Sequence, residues 1–252
     1  MNVREIAAIS GAEARLLVRN TAVAVAALVM PLVIAGMFVV SGLQQSPPDG
    51  WGYVVALMLV TVFGMSGCIS AAGTLTYRRD ELYLKRLRCS QSSDATILAG
   101  VLAPAVVVTI AQCAIVLAII GIAASSLPAH PPLLVAVIVL GTVMSVGLGM
   151  ATTGFSSSGE QAQTVATPVF FVLIGTAIWA GMSLGDGPDG LSPVQALSPG
   201  GAVVQLAQLS YDTGIALSAA VAEALPSLAA LAGWAVVGAG AARRYFRWEP
   251  RA

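Results

Sequence analysis

Apolar residues gather in six long runs along this chain, and charged residues fall almost wholly between them. The runs cover about 21–43, 52–76, 97–124, 133–154, 165–184 and 222–242, and none contains Lys or Arg. A helix needs about 20 apolar residues to cross a ~30 Å hydrocarbon layer, so each run is long enough. In lipid every backbone N–H and C=O must be satisfied within the segment, which a helix does. The pattern therefore predicts an all-α membrane protein of six spans, forming one transmembrane domain over 1–252. The connections are 44–51, 77–96, 125–132, 155–164 and 185–221.

The polar segments carry their own patterns. Residues 3–19 read as an amphipathic helix, with Ile6, Ile9, Leu16 and Leu17 near one face and Arg4, Arg15 and Arg19 interspersed. Such a helix lies in the headgroup layer. The apolar run after it is longer than a signal-peptide core and no A-x-A-like site follows, so it reads as the first span. Residues 77–88 are the densest in charge. Read as a helix, they put Asp80, Leu84 and Leu87 on one face, joined by Tyr83. Glu81 precedes Lys85 by four residues, the favourable order for an ion pair. Ser92 or Ser93 with Asp94 reads as the cap and first turn of span three. Two readings fit this segment: a helix that docks a soluble partner, or a charged anchor on anionic lipid. In span four, Gly141, Ser145 and Gly149 recur every four residues, a spacing that lets helix backbones approach closely. Pro31, Pro104 and Pro168 lie in or near spans, where proline kinks helices.

Composition agrees with the pattern. The chain is 57% hydrophobic and 10% charged, against roughly 25% charged in soluble domains. Charge adds orientation. All twelve basic residues fall in three clusters: Arg4, Arg15 and Arg19; Arg78, Arg79, Lys85, Arg86 and Arg88; Arg243, Arg244, Arg247 and Arg251. With six spans and both termini inside, the inner segments hold every basic residue and seven acids, a net of +5. The outer side holds Asp49, Asp186, Asp189, Asp212 and Glu223, a net of −5. Cytoplasmic loops are enriched in Lys and Arg, which predicts N-in, C-in. Eleven of the twelve basic residues are Arg, in keeping with a GC-rich bacterial genome and a bacterial cell membrane.

Candidate chemistry is sparse. The spans hold almost no ionisable group; Gln112 and scattered Ser and Thr are the polar residues at depth. Proton and sodium relays use buried carboxylates, and intramembrane charges mark function by default. No paired catalytic groups are present, and no GxxxxGK[ST] loop: the one lysine, Lys85, follows Leu84. Cys68, Cys89 and Cys113 form no CxxC and read as packing residues of a reduced protein. His130, in a Pro-rich connection, reads as a solvated loop residue with no partner for a metal. The chain reads as a non-enzyme without a cofactor of its own.

The order of elements is an amphipathic N-terminus, two spans, a charged helix, then four spans. It resembles the membrane subunit of ABC-2 type exporters, the permeases of bacterial drug and antibiotic efflux. The loop after span two in that family reads like E-x-G-T-L-x-x-L-x-x-[TS]-P. Here Asp80 to Gln91 fits that frame: the acid, Leu84, Leu87 and Ser90 match, while Leu82 stands for the usual Gly and Gln91 for the Pro. The family's span-five-to-six connection is long and external with a short surface helix, matched by Leu197–Gly201 before Ala202–Tyr211. Its four-to-five loop is short and polar, matched by Ser156–Gln161. The resemblance implies a type V exporter-like permease that pairs with a second copy or a paralogue. It also implies two ATP-binding subunits, which hold ATP and Mg. The helix at 78–90 is then the coupling helix, moving spans two and three, with Asp80, Glu81, Leu84, Lys85 and Leu87 as coupling residues. The cargo path is expected at the permease dimer interface, involving spans two and five. The apolar lining points to a hydrophobic or amphipathic small molecule, with sodium, a lipid or a polysaccharide precursor as other cargoes. No nucleic-acid partner is expected. A non-transporting scaffold that recruits a cytosolic partner through the same helix is the reading from another class.

Overall fold

The computed structural model describes residues 3–19, 29–34, 36–38, 40–41, 50–90, 92–184 and 191–248. The expected first span, 21–43, lies largely outside the described residues; 29–34, 36–38 and 40–41 are helical. Regular structure among the described residues is helical. After α1 (Val3–Arg19) come α2 (Trp51–Asp80), α3 (Tyr83–Arg88), α4 (Asp94–Ala123), α5 (Pro131–Phe155), α6 (Gly159–Met182), α7 (Pro193–Leu197), α8 (Pro199–Tyr211) and α9 (Leu217–Tyr245). Five of these, α2, α4, α5, α6 and α9, have 24 to 30 residues and are apolar enough to cross a membrane. At ~1.5 Å per residue they are about 36–45 Å long, longer than a ~30 Å hydrocarbon layer. Each overshoots the apolar run that predicted it, because polar residues at the ends extend the helix beyond the lipid-compatible part.

Helix α2 is the most enclosed of the five. Val55, Ala56, Met58, Leu59, Val62 and Phe63 are fully buried in a core shared with residues of α4, α5, α6 and α8. This differs from the expectation that span two lines a dimer interface: its membrane part is surrounded by its own chain. Helix α6 does present an apolar face, with Phe171, Val172 and Met182 exposed, as are Val107 and Ile122 of α4 and Val236 of α9. So much exposed apolar side chain suits lipid and not water.

Close contacts rest on small residues. Between Phe63 and Ile69, α2 widens into a π-helical stretch, where one extra residue is accommodated per turn. The span-four stripe faces it. Gly141 packs under the Phe63 ring, Ser145 meets Gly67, and a Cβ on Gly149 would overlap the Cys68 carbonyl. Helices α5 and α9 cross at Gly147 and Gly238, where a Cβ on Gly238 would lie 2.9 Å from the Leu148 nitrogen. Packing, and not a hydrophobic drive, holds helices together in lipid, so such contacts carry the bundle.

At the end away from the arginines, α8 does not form the expected surface helix, although Val194 and Leu197 of α7 are exposed. Val203, Val204, Leu206 and Ala207 of α8 are fully buried inside the bundle. Its backbone is satisfied there: Gly200 N donates to Thr176 Oγ1 at 3.0 Å, and Ser198 caps Gly201 N at 3.2 Å. A capping box of Ser192 and Gln195 starts α7. His130 is buried as well, and its backbone N–H donates to the Ser210 carbonyl at 2.9 Å. It is not the solvated loop residue expected, because α8 rises into the loop that carries it.

Helix α1 lies along the start of α4. Ile9 sits over Gly100, and Ser10 Oγ donates to the Gly100 carbonyl at 3.1 Å. Ser92 Oγ donates to Glu5 at 2.9 Å. The buried face is Ile9 and Glu13, while Val3 and Leu16 remain exposed. The helix is thus amphipathic, but part of its inward face docks on protein.

Candidate functional site

The arginine-rich end of the bundle converges on the junction of α2 and α3. The helix α2 ends at Asp80 because Leu82 takes a left-handed conformation, φ 55° and ψ 16°. The expected continuous helix over 78–90 is therefore broken at 81–82. The left-handed region disfavours a Cβ and favours Gly. This is the position where the related pattern carries Gly, so the turn geometry explains that glycine, and Leu82 occupies it under strain. The short α3 follows, and Ser93 caps α4 by accepting from Thr96 N at 3.3 Å, as the Ser-Asp pattern predicts.

Three consecutive charged residues before the turn point inward. Arg78 donates through Nε to Glu13 at 2.9 Å and through Nη1 to Glu81 at 2.7 Å. Burial pushes the Glu13 carboxyl above the usual carboxylate range, against the pull of Arg78. Arg79 is 1% exposed, the bulkiest fully buried side chain described. Its Nη1 donates to the Thr153 carbonyl at 3.0 Å and its Nη2 to the Ser156 carbonyl at 2.9 Å. The Thr153 carbonyl belongs to the last turn of α5 and the Ser156 carbonyl to the residue just past it, at a helix end where partial negative charge collects. Asp80 lies 3.6 Å from Arg79 Nε, an ion pair, and its Oδ2 accepts from Gly159 N at 3.0 Å. Gly159 opens α6, so the carboxylate sits at a positive helix end. Thr76 Oγ1 and Ser156 Oγ lie 3.3 Å apart in the same seam.

Residues after the turn divide into two faces. Leu84 is fully buried with Leu75, Ile97 and Val101, and Leu87 packs on the same cluster. Glu81, Leu82, Lys85, Arg86 and Cys89 are exposed. Arg88 pairs with Asp94 at 3.0 Å and lies 4.6 Å over the Trp248 ring. Of the five expected coupling residues, Glu81 and Lys85 are on the surface. Leu84 is not available to a partner, because the αL turn rotates it into the bundle; it anchors α3 instead. Asp80 is half-buried on Gly159, and Leu87 is half-buried. Glu81 is bridged to Arg78. Sequence reasoning missed Glu13, Arg78 and Arg79 as members of this junction. The run Arg78-Arg79-Asp80-Glu81 is visible, but its partners lie 65 to 79 residues away. Cys68 and Cys113 are buried as expected, whereas Cys89 is exposed at the end of α3.

Five long apolar helices with a charged junction at one end define a multi-pass membrane protein. A family model described as ABC-2 family transporter protein matches residues 43–243, most of the chain. The chain belongs to that family. No curated protein and no solved structure matches it. Membership makes it a membrane subunit of an ABC transporter, and implies partnering with an ABC ATP-binding subunit.

Proposed function

We propose that the whole chain, 1–252, is one six-span permease of a bacterial ABC exporter with both termini in the cytoplasm. A second permease pairs with it, and two ATP-binding subunits hold ATP and Mg beneath. The charge asymmetry supports the orientation: basic residues populate one side and acids the other. The observation that carries the docking role is the outward face Glu81, Leu82, Lys85 and Arg86, presented on a segment whose other face, Leu84, is locked into the bundle. A surface charged on its outside and clamped on its inside can be pushed without being pulled loose. The cargo is a hydrophobic or amphipathic small molecule of the drug or antibiotic class, because the spans offer almost no ionisable group to hold a charged one. Span five, α6, with its exposed Phe171, Val172 and Met182, supports a permease pair formed over that span.

The test is charge reversal on the outward face. The double variant Lys85→Glu/Arg86→Glu removes no buried contact, so insertion and yield should hold. Co-purification of the ATP-binding subunit should fall at least tenfold, and efflux of a lipophilic dye such as Nile red should fall with it. Unchanged co-purification and efflux would reject the docking face. Loss of co-purification with no dye efflux even in the native complex would keep the docking face and reject this cargo class.

A further inference from the structure

We propose that Arg79 and Asp80 form a relay that carries motion of the docking segment into spans four and five through the 153–159 connection. The inference rests on the docking reading above. It adds spans four and five to the helices that move, where the family resemblance implies a drive into spans two and three.

The geometry on either side of the docking segment is unequal. Toward span three the links are the apolar contact of buried Leu84 with Ile97 and Val101 and the exposed pair Arg88–Asp94 at 3.0 Å, with side chains 46% and 52% exposed. Exposed pairs of this kind hold weakly. Toward spans four and five the link is the buried Arg79 guanidinium on the Thr153 and Ser156 carbonyls, and Asp80 on Gly159 N. The two side chains are adjacent in sequence and diverge to opposite helix ends, the C-terminus of α5 and the N-terminus of α6. Each carries the charge that its helix end favours. Separating the seam would strand the buried Arg79 guanidinium, a large cost that makes the seam move as a unit. Thr76 with Ser156, and the Tyr77 ring against Gly159, fill the rest of the contact. Beside the seam, Arg78 engages Glu13 and Glu81, and Glu160 stands next to Gly159 in the first turn of α6. The seam lies immediately before the Leu82 turn, so a push on α3 reaches it along the chain.

Cys89 is the exposed cysteine of the described residues, with Cys68 and Cys113 buried, so it offers a native labelling site. The experiment uses the permease with its co-purifying ATP-binding subunit in lipid nanodiscs. Spin labels are placed at Cys89, at Glu160→Cys on α6, and at Thr213→Cys at the opposite end as reference. ATP is trapped with a hydrolysis-deficient ATPase. In the native seam the labels at 89 and 160 should both shift against 213, and their mutual distance should hold within about 2 Å, the scale of a packed helix shift. In Arg79→Gln the label at 89 should still shift and the ATPase still co-purify, while the label at 160 stays and Nile red efflux falls at least tenfold. Where Arg79→Gln fails to insert, Asp80→Ala and the native-seam distances decide. A label at 160 that stays still beside a moving 89 in the native seam removes the relay alone. A label at 89 that never responds to the ATPase removes the docking reading and the relay with it.

Discussion

The two ends of the bundle are closed in different ways. At the acidic end α8 fills the interior with Val203, Val204, Leu206 and Ala207, and the Ser198 and Thr176 side chains cap its backbone. At the arginine-rich end the interior is closed by Arg79, an ion, held by carbonyls of the span-four end and by Asp80. Apolar packing is non-directional and yields by degrees. A buried guanidinium on two carbonyls is directional, and it holds or fails as a unit. An end that receives a push from a partner gains from the second kind of contact, and an end that only seals gains from the first.

The comparison breaks most sharply at Arg79. Arg79→Ala removes one member of a buried charged network and should cost about 3–5 kcal/mol, read as a fall in the thermal midpoint of the detergent-solubilised protein. Val204→Ala, an equally buried site at the other end, should cost about 2 kcal/mol through lost packing. Equal costs would erase the distinction between the two ends.

Leu82 sharpens it further. Its left-handed φ of 55° costs a residue with a Cβ roughly 1–2 kcal/mol. Leu82→Gly should therefore raise the midpoint, by about 1 kcal/mol after the added freedom of the unfolded chain is counted. A destabilised Leu82→Gly would mean that the turn is not strained.

The smallest effect is at Glu13. Its folded carboxyl binds its proton more tightly than an unfolded one, whose ordinary value is 4.5. The unfolded chain thus loses this proton first as pH rises. Stability from this group is highest below pH 4.5, falls as pH climbs through the raised value, and is level above it. Glu13→Gln should flatten that part of the pH profile of the thermal midpoint while leaving α1 attached at neutral pH. A Glu13→Gln profile that keeps the slope would assign it to another group.

Much of this was legible in the sequence. Apolar runs located the five described spans to within about two turns at either end, since lipid tolerates little else over that length. The Gly141-Ser145-Gly149 stripe announced a close approach, and Ser93 with Asp94 a helix start. The buried parts of the polar segments were hidden. Residues 199–211 include Ser210, Gln205 and Gln208 between Pro-Gly and Asp212, so their composition reads as surface, although the fold encloses them. Arg79 looked like its exposed neighbours because its acceptors are 74 and 77 residues distant. Leu84 and Leu87 were correctly placed on one face, but which way that face turns is decided by the break at Leu82.

Cys89 gives the most direct measurement of the central claim, that the 81–90 segment is the cytoplasmic docking face. A membrane-impermeant maleimide should label Cys89 in inside-out vesicles and not in right-side-out cells, with Thr213→Cys showing the reverse. Adding the ATP-binding subunit should then protect Cys89 and leave position 213 reactive. Labelling of Cys89 from the cell exterior, or labelling from the inside that the ATP-binding subunit leaves unchanged, would contradict the account.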